Sequence, residues 1–317
     1  MKKIKESIQS IEAFAPATCA NVAVGFDILG FSIGSVGDYV RLSKRLDRKV
    51  IVESVDSKDL IPLDNNKNTA AVVVQKFCQA LDLKCGFTIQ IKKGIPLCSG
   101  MGGSAASAVA ALIACNAFLV SPLSKEELAY FALFGEEVAS GTAHADNIIP
   151  CLFGGLTLIF QQNPIKIIEL PIPDLYCLLM HPHLHVPTRT ARDRLNKVLA
   201  LTEHVKQSAN LAAFIAALYE KDNSLLRLSL NDLIIEPQRA EFVPEFYQIK
   251  KAALKAGALG MSFSGSGPSM FAFTETKEAS EKVAQAMQIP LQKNNISSDY
   301  WISKISKKGA HVVEEII

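Results

Sequence analysis

Short apolar runs broken by Gly, Asp and Lys fill residues 11–55, an alternation that predicts several strands. From residue 66 the period changes: Val72, Val73, Phe77 and Leu81 fall at helical spacing, predicting a helix that begins near Asn68. Residues 87–91 alternate again as a strand, and 104–119 form a long Ala-rich segment with helical character. A further helix over 128–138 is opened by the capping box Ser124-x-x-Glu127 and closed near Gly141. Residues 152–160 then read as a strand containing a Gly-Gly bend.

Three prolines in residues 161–173 suggest an inter-domain connection, dividing the chain into 1–165 and 166–317. Beyond it, 175–180 reads as a strand, followed by helices around 190–200, 208–220 and 222–229. Residues 240–256 and 277–287 are helical in pattern, 259–264 and 269–273 are strands around a glycine turn, and 300–305 closes a sheet. The second half is therefore α+β, and the chain has neither internal repeats nor low-complexity tracts.

Composition sharpens this picture. With 317 residues and 49% hydrophobic content the chain buries a substantial core, consistent with two domains. Thirty-three basic against 31 acidic residues leave a net charge of +2, which advertises no nucleic-acid partner. Cysteines 19, 78, 85, 98, 115, 151 and 177 are scattered, odd in number and without a C-x-x-C pair, which favours a reducing, cytoplasmic setting. The basic N-terminus lacks an apolar segment behind it, so it does not read as a signal peptide. Residues 104–120 are uncharged but Ala-rich, and Ser-Pro ends them short of the ~20 strongly apolar residues of a membrane span.

Candidate chemistry concentrates at residues 95–106. Ile95, Pro96, Leu97, Cys98, Ser99, Gly100, Met101, Gly102, Gly103, Ser104 and Ala105 join the predicted strand to the Ala-rich helix. Glycines let backbone N–H groups approach an anion, and the helix start adds unpaired donors and the positive dipole end. Ser104 could cap the helix or turn its hydroxyl toward a Mg²⁺ carried on that anion. No glycine is followed by lysine and no Gly-x-Gly-x-x-Gly follows a strand, which excludes the P-loop and the dinucleotide fingerprint. Protein-kinase His-Arg-Asp and Asp-Phe-Gly elements are missing as well.

Four other segments carry polar residues where apolar periodicity is interrupted. They are 15–27 with Asn21 and Asp27; Glu136 with Thr142, His144, Asp146 and Asn147; 187–192 with Thr188 and Arg192; and 236–239, with Arg239, followed by 264–269. Singly these residues could serve as turns, caps or solvated charges. Together they supply a carboxylate able to hold Mg²⁺ and two guanidinium groups able to clamp a carboxylate.

On these motifs the chain resembles the GHMP small-molecule kinases. Pro16-Ala-Thr-x-Ala-Asn21-x-x-x-Gly25-Phe-Asp27 matches a first motif, and 96–106 matches the family's phosphate loop. His144-Ala-Asp-Asn147, Thr188-x-x-Ala-Arg192, Glu236-Pro-x-Arg239 and Ser264-Gly-x-Gly-Pro-Ser269 follow in the expected order, so the resemblance spans nearly the whole chain. It implies a two-domain α+β fold: an N-terminal mixed β/α nucleotide-binding domain and a C-terminal ferredoxin-like α/β sandwich. It also implies an ATP- and Mg²⁺-dependent phosphotransferase. Within the family the first motif points to the branch that phosphorylates the hydroxyl of L-homoserine on the way to threonine. Galactokinases and mevalonate kinases would carry a charged Arg or Lys there.

The resemblance also implies residue roles. Asn68 would sit at the adenine, 95–105 around the triphosphate, and Ser104 and Glu136 at Mg²⁺. Asn21, Asp27 and Asn147 would contact the substrate's hydroxyl and ammonium end, and Arg192 and Arg239 its carboxylate. Thr188 and Gly265 would lie beside it, and Asp146 is the nearest candidate base. It leaves a homodimer open and implies neither a nucleic-acid nor a membrane partner.

Two departures stand out. Gly103 replaces a serine of the usual Gly-Leu-Gly-Ser-Ser, and Cys98 stands where a smaller residue is usual. One lost hydroxyl costs about 1 kcal/mol where it donated a hydrogen bond. Outside the resemblance, His181, His183 and His185 alternate along a strand at a spacing that can hold Zn²⁺, although no nearby Cys or carboxylate completes the set. Two other readings stay open: a family kinase for another small hydroxy or amino acid, and an inactive ligand sensor with the same fold.

Overall fold

The alternation at the start of the chain resolves into three strands, β1 (Ser10–Ala20), β2 (Leu29–Arg45) and β3 (Val50–Asp56). Helix α1 (Thr69–Ala80) and strand β4 (Gly86–Lys92) follow, then helices α2 (Gly103–Ala117), α3 (Lys125–Ser140) and α4 (Ala145–Phe153). The computed structural model describes residues 2–140 and 144–317, so the expected helix end near Gly141, and Thr142, lie outside the described residues. Strands β5 (Leu156–Gln162), β6 (Ile165–Leu170) and β7 (Tyr176–Pro182) come next. The second half continues with α5 (Thr188–Asp193), α6 (Leu201–Glu220), α7 (Asn223–Ser229), α8 (Ile235–Arg239) and α9 (Phe246–Lys255). Strands β8 (Gly260–Phe263) and β9 (Met270–Thr274), helix α10 (Lys277–Lys293), and strands β10 (Ser298–Lys304) and β11 (His311–Ile316) complete it.

Two sheets organise these elements. The first runs β11-β1-β2-β4-β3, with β5 on β2 and β6 on β5; only the β3–β4 pair is parallel. The second is an antiparallel β10-β7-β9-β8 sheet packed against α9 and α10. Helix α2 lies on β1 and β2 with α1 and α3 beside it, which is why its residues from Ala105 to Leu112 are buried on every side. Phe31 of β2 meets Phe271 and Phe273 of β9 at ring separations of 5.9 and 5.4 Å, so one apolar core joins the two sheets.

Several expectations need correction. Most of 161–173 is no connection: β5 and β6 pair antiparallel around Asn163-Pro164, so a cut at 165/166 passes through a hairpin of the first sheet, and only 171–175 link it to the second. The strand expected over 152–160 starts at Leu156, because Asp146–Leu152 is an apolar helical face and Gly154 and Gly155 turn the chain at φ 84° and 73°. The helix expected over 240–256 is broken: Pro244 holds Val243 extended (φ −123°, ψ 109°), and α9 starts only at Phe246. Helix α5 stops at Asp193 rather than near 200, α6 begins earlier than 208, and α10 runs on past 287 because Leu291 is anchored in the core.

Candidate active site

The phosphate-loop candidate leaves β4 and enters α2 under tight backbone constraint. Gly100 and Gly102 take φ 77° and 71°, and a side chain at 100 would strike Ser264 O and Gly267 O at 2.5 and 2.6 Å. The loop is clamped there: Ser264 Oγ donates to Gly100 O at 2.8 Å and Ser269 N to Ser99 O at 3.1 Å. Thr18 N donates to Met101 O at 3.1 Å, and Thr18 Oγ1 to Asn147 Oδ1 at 2.7 Å. Gly102 is the N-cap of α2 and supplies no side-chain cap, and Ser104 lies inside the first turn, so it does not cap the helix. The opening amides of α2 thus face the loop without a capping side chain, the arrangement that receives an anion.

Loop, helix starts and second-domain residues enclose a cleft of about 380 Å³. Of the expected nucleotide residues, Asn68, Pro96 to Gly100 and Gly102 to Ala105 line it, as do Glu136, Asn147, Thr188 and Gly265. Ile95 and Met101 do not; both point into the apolar core, at 2% and 0% exposure, and serve the loop from beneath. Asn68 is the N-cap of α1: its Oδ1 accepts from Ala70 N and Ala71 N, and its Nδ2 donates to Pro62 O at 3.0 Å. Its amide is therefore already committed, and what it can offer an adenine is a wall. Thr188 Oγ1 lies 3.2 Å from Ser266 Oγ, bridging α5 and the second glycine turn.

Asn21, Asp27, Asp146, Arg192 and Arg239 do not line this cleft; they form a charged group behind it, which Asn21 and Arg239 tie to the cleft's Gly265. Arg192 donates from Nη1 and Nη2 to both oxygens of Asp27, at 2.9 and 2.6 Å. Arg192 and Arg239 both stack on Phe26, each 5.3 Å from the ring centre. Arg239 Nη1 donates to Gly265 O, and its buried Nε has no hydrogen-bond partner among the described residues. Asn21 locks the segment into shape: Nδ2 donates to Gly265 O at 3.0 Å, Oδ1 accepts from Asp27 N at 3.0 Å, and its own φ is 71°. Glu236, from the fourth motif, stands apart. It accepts from Lys250 and from Ser262 Oγ at 2.7 Å, while Asp232 caps α8, so both fix the helix that carries Arg239.

The electrostatics follow from this crowding. Burial, and then the neighbouring Asp27 charge, push the Asp146 carboxyl up to about 7. Burial and the adjacent Arg192 pull Arg239 down to about 10, still charged at neutral pH. For Arg192 burial works downward, yet the Asp27 hydrogen bonds and charge outweigh it and its pKa is raised. His144 is lowered by burial and then by Arg192.

Sequence reasoning missed Lys93, which lines the cleft and donates to Gly103 O at 2.9 Å, and Thr18. The Lys92-Lys93-Gly94 run just before the loop was the available signal for the first. The rings of His181 and His183 lie 5.9 Å apart, but each is engaged by other partners. His181 is buried on Ser269 Oγ, and His183 bonds Asp299 and Ser297. Among the described residues no group of three or more His, Cys, Asp or Glu is placed to hold a metal ion.

Comparison with known proteins identifies the family. Residues 68–155 match the family described as GHMP kinases N terminal domain, and 214–293 match GHMP kinases C terminal. A homoserine kinase of Chlorobium phaeobacteroides is 43% identical over 96% of this chain and its own full length. One of Chloroherpeton thalassium is likewise 43% identical over 96% of this chain and all of its own. The crystal structure of homoserine kinase from Cytophaga hutchinsonii superposes with a TM-score of 0.93 at 41% identity, covering 98% of this chain and 99% of that one. With both family models matched and relatives of this identity along its whole length, the chain belongs to the GHMP kinases.

Proposed function

We propose that the protein transfers the γ-phosphoryl group of ATP to the side-chain hydroxyl of L-homoserine, yielding ADP and O-phospho-L-homoserine. A bond forms between the hydroxyl oxygen and the γ-phosphorus, and the bond to the β,γ-bridging oxygen breaks. ATP follows from the kinase family. The substrate rests chiefly on the Asp27–Arg192–Arg239 group around Phe26. A zwitterion can replace both halves of the Asp27–Arg192 pair at once, its ammonium meeting Asp27 and its carboxylate Arg192 and the unpartnered Nε of Arg239. A neutral alcohol can replace neither, and would gain no charge-assisted contact from the group.

Residue roles follow from placement along the cleft. The amides of 100–105 and the start of α2 take the triphosphate, and Ser99 Oγ, buried and without a hydrogen-bond partner among the described residues, adds a polar atom to the loop. Ser104 and Glu136 line the same cleft as oxygen donors, a set that suits Mg²⁺ held by one carboxylate, one hydroxyl and phosphate oxygens. Bound there, the ion would neutralise charge on the β- and γ-oxygens. A loose transition state needs little deprotonation of the nucleophile, so positioning does most of the work. Asp146, titrating near neutrality beside Asp27, is the group we assign to take up the hydroxyl proton.

The test is coupled ADP release with ATP and Mg²⁺ against homoserine, serine, threonine, mevalonate and galactose. Turnover confined to homoserine is expected. Turnover with another alcohol would keep the phosphate loop and void the amino-acid assignments. Nucleotide binding without any turnover would favour an inactive sensor.

A further inference from the structure

Beneath the phosphate loop lies a fully buried carboxylate that none of the roles above uses. Asp38 sits on β2, and its side chain has no exposed surface. Oδ1 accepts from the backbone N–H of Gly94 at 3.1 Å and of Ile95 at 3.2 Å. Oδ2 accepts from Ser107 Oγ at 2.8 Å and from Lys93 Nζ. Lys93 Nζ in turn donates to Ser107 Oγ at 3.0 Å and to Gly103 O at 2.9 Å. All four donors to this carboxylate therefore come from the two ends of the loop: residues 93–95 where the chain leaves β4, and residue 107 in the opening turns of α2.

We propose that Asp38 is a positioning residue for phosphoryl transfer, a staple across the neck of the phosphate loop that keeps its amides at the spacing the triphosphate requires. The proposal deepens the assignment of 95–105 to the triphosphate and rests on it. A buried ion pair is a poor source of stability, since an apolar pair of similar volume often does as well. Its value lies in direction. The carboxylate fixes the Lys93 ammonium, and that ammonium fixes the carbonyl of Gly103, the first residue of the helix that presents the amides. This chain has particular need of such a brace. At position 103 there is no side chain to tie the loop from above, and a Cβ there would already stand 3.2 Å from Ile95 Cγ2 and 3.4 Å from Lys93 Nζ.

Asp38→Asn preserves volume and the acceptor for Gly94 and Ile95, but sets an amide against Lys93. In the full chain it should weaken calorimetric binding of ADP·Mg²⁺ about tenfold and lower kcat by about 10- to 100-fold, the scale of a small misplacement. The KM for homoserine should stay within about twofold. Ser107→Ala removes one of the staple's two contacts to α2, leaving that of Lys93 to Gly103 O, without altering charge. It should fold normally and show the same nucleotide-specific loss at about threefold. If Asp38→Asn does not fold, Ser107→Ala decides. Unchanged ADP affinity, or equal shifts in the ATP and homoserine constants, would overturn the staple. Wild-type protein that binds no ADP would instead bring down the phosphate-loop assignment, and the staple with it.

Discussion

The two regions proposed to bind nucleotide and amino acid are built on opposite principles. In the proposed nucleotide region the groups on offer are backbone amides, held by left-handed glycines and by Thr18, Ser264 and Ser269, which donate to the loop carbonyls. In the proposed amino-acid region they are side-chain charges, and Asp27 and Arg192 satisfy each other. The first is shaped before any ligand arrives, because its donors are fixed by chain geometry. The second must trade an internal ion pair for two external ones, so its selectivity comes from what a ligand fails to replace. Preorganisation therefore serves the common group, the phosphate, and exchange serves the particular one.

This contrast can be broken at four places. Glu136→Ala should reduce kcat by about a thousandfold or more through loss of charge stabilisation at the phosphates; near-normal turnover at saturating Mg²⁺ would refute its assignment. Arg239→Leu removes a charge-assisted contact worth about 2–3 kcal/mol, so the KM for homoserine should rise about 30- to 100-fold. The KM for ATP should not move, and an unchanged homoserine KM would end the carboxylate role.

Asp146 tests the boundary between the regions. Its carboxyl must be ionised to accept a proton, so kcat should climb as pH rises through about 7. Asp146→Asn should flatten that limb and run about tenfold slower above it. Stability carries an independent signature. Between the ordinary 3.8 and about 7 the folded protein keeps a proton that the unfolded chain has lost, so stability falls as pH rises across that window. The asparagine variant should lack this slope in pH-dependent melting. The smallest effect belongs to Gly103→Ser. Its added atoms meet Ile95 and Lys93 at tight but tolerable distances, and the ATP KM should change by less than about threefold.

What was legible in the sequence follows the same division. The phosphate loop is local: three glycines, a strand before and a helix after are contiguous residues, and the Ser124–Glu127 capping box forms as its spacing predicts, at 2.8 and 3.2 Å. Asn68 was legible as a helix start, but not its committed amide. Strand β6 has the alternation of an edge strand, obscured by the prolines around it, and α4 hid behind the polar Asp146-Asn147 at its first turn. Least legible were pairings between distant segments. Neither the Asp27–Arg192 ion pair nor the carboxylate of Asp38 beneath the loop has a spacing signal, since β2, β4, α2 and α5 are brought together only by tertiary packing.

One such distant pairing reaches past the site altogether. Strand β11 lies beside β1, with Ile316 opposite Ser10, so the final residues complete the edge of a sheet otherwise built from the first half of the chain. On a ribosome the strands of the first sheet would emerge with β1 as an open edge, which would stay uncovered until β11 was made. Completion of the first sheet is thereby tied to synthesis of the second. A fragment cut short before residue 311 would present an unpaired strand, prone to adding a neighbour's.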